Sequence, residues 1–189
     1  AGHGVLLSKA WDELREFVHR ENIPAVTTIL GIGALEHNDP LFFQWLGMHG
    51  MKYANQAVQD SDVIIALGIR FDDRITGKID EFSPKSKKVH IDIDPSSINK
   101  IVKVDLSIVG DVSDVISSTT KTLKKKNLNL EKSNKQKISK WWQQIEKWRT
   151  KYPDQDYYHF LKYVKYATGD VYNRHLKQYV TWVNSNLQL

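Results

Sequence analysis

The sequence predicts an α/β fold of three layers, with helices on both faces of a mostly parallel sheet. Two apolar runs, Val63 to Leu67 and Val89 to Ile93, are rich in β-branched residues and bounded by Gly, Asp and Pro, as strands buried on both faces should be. Both runs end in clustered carboxylates, with Arg70 and Arg74 close behind the first; the carboxyl edge of a parallel sheet is where such folds hold nucleotides. Strand-like and helix-like segments alternate along the chain, and right-handed crossovers turn that alternation into a parallel sheet.

Each element follows from local signals. Gly2, His3 and Gly4 read as a turn, followed by an amphipathic helix on which Leu7, Trp11, Leu14 and Val18 recur at helical spacing. Such a turn should follow a strand, so a strand is expected upstream of Ala1. Residues 23–28 read as a strand, and Gly31 and Gly33 mark the loop leaving it. Residues 53–59 read as a helix leading into a strand over 62–67, and 87–92 as the next strand. Pro95, Ser96 and Ser97 start a short helical turn. Residues 107–109 form a last short strand, and Asp111 is placed to cap a helix running to about Leu123.

From Lys124 to Lys137 the composition shifts to Lys, Asn and Ser, which reads as a linker. Ile138, Trp141, Trp142, Ile145, Trp148 and Tyr152 then recur at helical spacing until Pro153, and these tryptophans read as packing groups. The expected organisation is one α/β domain over 1–123, a linker and Trp-rich helix over 124–153, and an unassigned segment over 154–189.

At 189 residues and 41% hydrophobic, the chain can bury a core. No apolar run is long enough to span a bilayer, and neither an initiator Met nor a signal pattern opens the chain, so it reads as soluble. Cysteine is absent, which excludes disulfides, thiolate metal sites and a cysteine nucleophile. The net charge of +5 arises in the C-terminal half: residues 1–100 carry 11 basic and 14 acidic groups, residues 101–189 carry 16 and 8. Those lysines are scattered among Asn, Gln and Ser, as on a solvated surface, and form no nucleic-acid motif. The histidines at 19, 37, 49 and 90 lack metal-ligand spacing, and there is no GxSxG elbow.

The strongest constellation is Arg70, Asp72, Asp73 and Arg74. Guanidinium groups fork onto phosphate or carboxylate oxygens, while neighbouring carboxylates orient them and accept hydroxyl hydrogen bonds. Asp92 ends its strand, where a carboxylate can accept from a ribose diol. Asp94 is expected to turn to the opposite face if that strand continues, leaving one carboxylate of the two for the ribose. Asp111 can serve as helix cap and ligand contact at once.

Segments in a fixed order, GHG at the start, IPAVTTILGIGAL, LGMHG from Leu46 to Gly50, GIRFDDRITGKID, VHIDIDP, and GDV at Gly110 to Val112, carry a resemblance to a family. Over residues 2–115 the chain resembles the central, Rossmann-like FAD-binding domain of the acetohydroxyacid synthase (acetolactate synthase) large, catalytic subunits, which are thiamine-diphosphate enzymes. The resemblance implies FAD contacts from His3 and Gly4 in the small-residue turn, from Thr28 and Ile29, and from Leu46, Gly47, Met48 and His49 along the isoalloxazine. It further implies that Gly68, Ile69, Arg70, Phe71, Asp72, Asp73 and Arg74 lie along FAD, with Asp73 and Arg74 also near the substrate channel. Asp92, Ile93, Asp111 and Val112 match adenosine contacts.

Enzymes of this family are transferases of branched-chain amino-acid biosynthesis: they decarboxylate pyruvate and join the remaining two-carbon unit to a second pyruvate or to 2-ketobutyrate. They use thiamine diphosphate and magnesium, and their FAD is structural. The resemblance implies a piece of that subunit, with no catalytic residue or metal ligand of its own, since both GD pairs continue GDV where the diphosphate-binding motif has GDG. It implies as partners the other domains of the subunit, a homo-oligomer and a regulatory small subunit, with no nucleic acid or membrane, in the cytoplasm or a plastid. The alternatives are the central domain of a glyoxylate carboligase or oxo-acid decarboxylase, or a free-standing nucleotide-binding module. In the family a similar Trp-bearing helix leads into the final, cofactor-binding domain, which implies that these tryptophans pack against neighbouring domains; beyond Pro153 the resemblance fails.

Overall fold

The computed structural model describes residues 1–126 and 132–152. The elements in chain order are α1 (His3–Leu7), α2 (Trp11–Glu21), β1 (Ala25–Thr27), β2 (Phe42–Trp45), α3 (Lys52–Gln59), β3 (Val63–Leu67), α4 (Asp73–Thr76), β4 (Lys87–Asp92), β5 (Leu106–Val109), α5 (Val112–Lys125) and α6 (Lys132–Lys151). Single 3-10 turns lie at Ile29–Gly31, Ile79–Glu81 and Pro95–Ser97.

The strands form two parallel groups, β1-β2 and β3-β4-β5. Ala1 and Gly2 lie between them. The Ala1 nitrogen donates to Val26 O (2.8 Å) and Ala1 O accepts from Thr28 N (2.9 Å), while Gly2 N donates to Leu67 O (2.8 Å). That is the spacing of a parallel ladder, so β1 and β3 flank two residues of extended chain.

Strand periodicity distributes the core over both faces. Leu67, Ile91 and the partly buried Ile65, Val89 and Ile108 pack against Val5, Leu14, Val18, Val112 and Ile116 of α1, α2 and α5. On the other face Ala66 packs with Ile69, Phe71, Phe82 and Val102. The layered parallel α/β architecture is therefore the one expected, but burial grows along β3, from Val63 at 52% exposure to Leu67 at 4%.

Several boundaries differ from expectation for identifiable reasons. Gly2 to Gly4 is not a free turn: helix begins at His3, breaks at Lys9 (φ +56°), and resumes at Trp11, so Leu7 is exposed instead of sharing a face with Leu14 and Val18. Strand β2 had no counterpart in the sequence reading; its four residues are all buried, and it depends on pairing with β1 across an irregular register. The expected linker is shorter, because α5 runs to Lys125 and α6 already begins at Lys132; Lys and Gln are good helix formers once the chain has a surface to pack on.

On α6, Ile145 is fully buried, and Trp142 lies 5.0 Å from Phe43 between ring centroids and donates its Nε1–H to Asn22 O (3.1 Å). Its packing is thus within this domain. Trp141 and Trp148 meet edge to face at 5.5 Å. The segment 154–189 lies outside the described residues.

The alternation argument for Asp94 does not hold. Residues two apart share a face of a strand, and β4 stops at Asp92. Asp94 is instead committed to the next turn, accepting from Ser96 N and Oγ (2.9 and 2.8 Å).

Candidate functional site

All the sequence-predicted contacts except His3 and Gly4 fall at or just beyond the carboxyl end of a strand: Thr28 and Ile29 after β1, Leu46 to His49 after β2, Gly68 to Arg74 after β3, Asp92 and Ile93 at β4, Asp111 and Val112 after β5. Parallel strands put their carboxyl ends on one edge, and that edge is where the loops converge. His3 and Gly4 join them through the contact of α1 with the end of β3.

That contact is made by glycine against glycine. A Cβ on Gly4 would lie 2.6 Å from Gly68 Cα, and one on Gly68, whose φ is +56°, would lie 2.5 Å from Gly4 Cα. The amides of Gly2 and Gly4 donate to Leu67 O and Gly68 O (2.8 and 3.1 Å). The small residues at the chain start are therefore explained by close backbone packing, and two of their amides are already bonded within the protein.

The structure brings the loop after β2 and the loop after β3 together. Met48 N donates to Arg74 O (2.7 Å), and Gly47, at φ +116°, leaves no room for a side chain because a Cβ would sit 2.7 Å from that same Arg74 O. Asn55 of α3 clamps Gly47 from the other side, accepting from its N–H (2.8 Å) and donating to its carbonyl (2.9 Å). Trp45 Nε1 donates to His49 O (3.0 Å) and closes the turn. Between this loop, α3 and α4 lies a cleft of about 400 Å³ whose lining includes Leu46, Met48, Lys52, Asn55, Asp73 and Arg74. Lys52 and Asn55 carry no local signature that would single them out in the sequence, since a helix face reveals its neighbour only in the fold.

Charged groups of the loop after β3 and of α4 are loosely paired. Arg70 Nη2 is 3.9 Å from Asp72 Oδ2, and Arg74 Nε is 3.9 Å from Asp73 Oδ1, with both guanidinium side chains about three-quarters exposed (73% and 75%). Exposed pairs of this length contribute little to stability, which leaves the guanidinium donors available to an anion. Asp72 Oδ1 is buried without a partner. A buried carboxylate oxygen in that state is suited to a ligand hydroxyl.

At the β4–β5 end the polar groups are more committed. Asp92 is buried and its Oδ1 accepts from Asp94 N (2.9 Å), while its carbonyl accepts from Gly110 N (3.0 Å), tying the end of β4 to the loop before Asp111. Asp111 caps α5 by accepting from Ser113 N (2.8 Å), as its position in the sequence suggests. Ile93 is exposed at 68% and Val112 is buried in the core. Hydrogen bonds from the Ser96 hydroxyl, then the Ser96 amide, hold the Asp94 carboxyl below its ordinary value. No cluster of potential metal ligands occurs among the described residues, and none of their helices is long and apolar enough to cross a membrane.

Comparison with known proteins shows the family of the chain. Residues 1–119 match the family model described as thiamine pyrophosphate enzyme, central domain. An acetolactate synthase large subunit of Cyanidium caldarium is 40% identical over 152 residues, which cover 80% of this chain and 26% of the relative. A probable acetolactate synthase large subunit of Methanococcus aeolicus is 46% identical over 143 residues (75% and 24%), and one of Haemophilus influenzae 37% over 150 residues (79% and 26%). The chain spans about a quarter of the length of these relatives.

Proposed function

The chain belongs to the thiamine pyrophosphate enzyme family through its central domain, and from that premise we propose that it is the FAD-binding part of an acetolactate synthase large subunit. Residues 1–123 form the cofactor-binding domain, and the loops after β2 and β3 line a channel for pyruvate or 2-ketobutyrate. The observation that carries this reading is the junction of Leu46–Met48 with Asp73–Arg74 around one cleft, made by the Met48–Arg74 hydrogen bond, in a chain whose relatives bear that name.

The residues present fit a dinucleotide. Arg70 and Arg74 offer uncommitted guanidinium donors to a diphosphate, Asp72 Oδ1 offers an unpartnered acceptor, and Asp92 stands at the strand end suited to a ribose. FAD bound here would be structural, held by Arg70, Arg74, Asp72 and Asp92, while the Met48–Arg74 hydrogen bond joins the two loops around the channel. In the parent enzyme thiamine diphosphate with magnesium supplies the decarboxylation and ligation chemistry, from sites outside this chain. A homo-oligomer and a regulatory small subunit, in the cytoplasm or a plastid, complete the proposal.

Titrating FAD into the purified chain is expected to give saturable quenching of flavin fluorescence, weakened by Arg74→Ala. Unsaturable binding, or an Arg74→Ala titration indistinguishable from the parent, would overturn the assignment. With pyruvate, thiamine diphosphate, magnesium and FAD the chain is expected to make no acetolactate; turnover above a protein-free control would show that catalytic groups lie within it.

A further inference from the structure

The two ends of the proposed nucleotide site share one buried side chain. His90, on β4, is fully buried, and its Nε2 lies 2.8 Å from Ile69 O in the loop that follows β3. A carbonyl only accepts, so the hydrogen of that bond sits on Nε2. Nδ1 has no partner. The same Nε2 is 3.7 Å from Asp92 Oδ2, and the imidazole meets the Phe71 ring edge to face, with centroids 5.0 Å apart at 77°.

Phe71 is held at φ +51°, a left-handed conformation that a bulky residue adopts only when its surroundings impose it. Phe82 also meets that ring edge to face, with centroids 6.0 Å apart at 72°. The direction taken at Phe71 decides where Arg70 before it and Asp72 after it project. Ile69 and Phe71 follow β3 and Asp92 ends β4, about twenty residues later in the chain, and His90 is in contact with all three.

We infer that His90 is a positioning residue: its Nε2–H···O bond to Ile69 fixes the left-handed turn at Phe71, and so aims Arg70 and Asp72 at the ligand while holding them in register with Asp92. The inference rests on the FAD reading for its ligand, but not for its geometry. If the imidazole only filled space, a ring of similar shape without the N–H would serve as well. His90→Phe supplies that ring, His90→Asn places its amide near the Nδ1 position and loses the donor, and His90→Gln reaches the Nε2 position and keeps it.

The test uses the isotopically labelled 189-residue chain and FAD as the probe. Nitrogen-15 shifts of the His90 ring are expected to show the hydrogen on Nε2. His90→Phe and His90→Asn are expected to move the Phe71 Cα and Cβ shifts away from left-handed values and to loosen FAD about tenfold, with His90→Gln within about threefold of the parent. An Nε2 without hydrogen, or His90→Phe and His90→Asn variants that leave the Phe71 shifts unchanged, would overturn the inference. Should His90→Phe fail to fold, the His90→Asn and His90→Gln pair decides it. Should the parent chain bind no FAD, the functional reading falls, and the Phe71 shifts still decide the role of His90.

Discussion

The two ends of the candidate site hold their polar groups in opposite ways. Along the β4–β5 edge, Asp92 is buried with Oδ1 bonded to the Asp94 amide, and Asp94 and Asp111 each cap a following turn or helix. After β3, the side chains of Arg70, Asp73 and Arg74 extend into solvent, with Arg70 paired to Asp72 and Arg74 to Asp73, each at 3.9 Å. Carboxylates at the first end are tied to the fold, whereas guanidinium groups at the second are free for a ligand. Between the ends, Gly4 against Gly68 and His90 against Ile69 carry the shape from one to the other. Substitutions should therefore separate into those that unfold, those that do both and those that only release ligand.

The largest effect is expected at the junction. Gly68→Val places a β-branched residue at φ +56° with its Cβ 2.5 Å from Gly4 Cα, and should destabilise the domain by more than about 3 kcal/mol in urea unfolding. A loss below about 1 kcal/mol would mean that α1 can retreat from β3, and the two ends would not be rigidly joined. At the next level, Asp92→Ala should cost about 1 kcal/mol of stability as well as FAD affinity, because its carboxylate bonds the Asp94 amide. Arg74→Ala should leave the unfolding midpoint unchanged and weaken FAD roughly tenfold to a hundredfold, the effect of losing a charge-assisted hydrogen bond. Equal stability losses in the two variants would erase the contrast between the ends.

The smallest effect is a pH dependence confined to the β4–β5 side. The Ser96 hydroxyl and then its amide lower the pKa of Asp94, and the Lys88 amide and then the Lys87 ammonium lower that of Asp105, both from an ordinary 3.8. Groups depressed in the folded state add stability above their unfolded pKa, and that stability is lost as pH falls through the folded value. A modest decline in the urea midpoint is therefore expected below about pH 4, with Asp94 and Asp105 titrating last by carbon-13 NMR. Normal titration of both carboxyls would show that these bonds do not persist in solution.

Much of this arrangement is legible from neighbouring residues. The β4 strand, the turn at Pro95–Ser97 and the start of α5 lie where the sequence places them, because β-branched alternation, a proline after Asp94 and a capping aspartate act within a few residues. Strand β2 was not legible: FFQW is short, carries Gln44 at φ +62°, and becomes a strand only by pairing with β1. The break at Lys9 was equally hidden, since the apolar spacing from Leu7 to Val18 continues through it.

The sequence alone determined the family and put most of the candidate contacts on loops at strand ends, since motif spacing and strand period are local properties of the chain. Only the tertiary structure decided that Met48 meets Arg74, that Gly4 abuts Gly68, that Asn55 holds Gly47, and that His90 spans Ile69, Phe71 and Asp92. Crossovers bring together residues from different strands and helices, and no local propensity records which carbonyl an imidazole will find across a sheet.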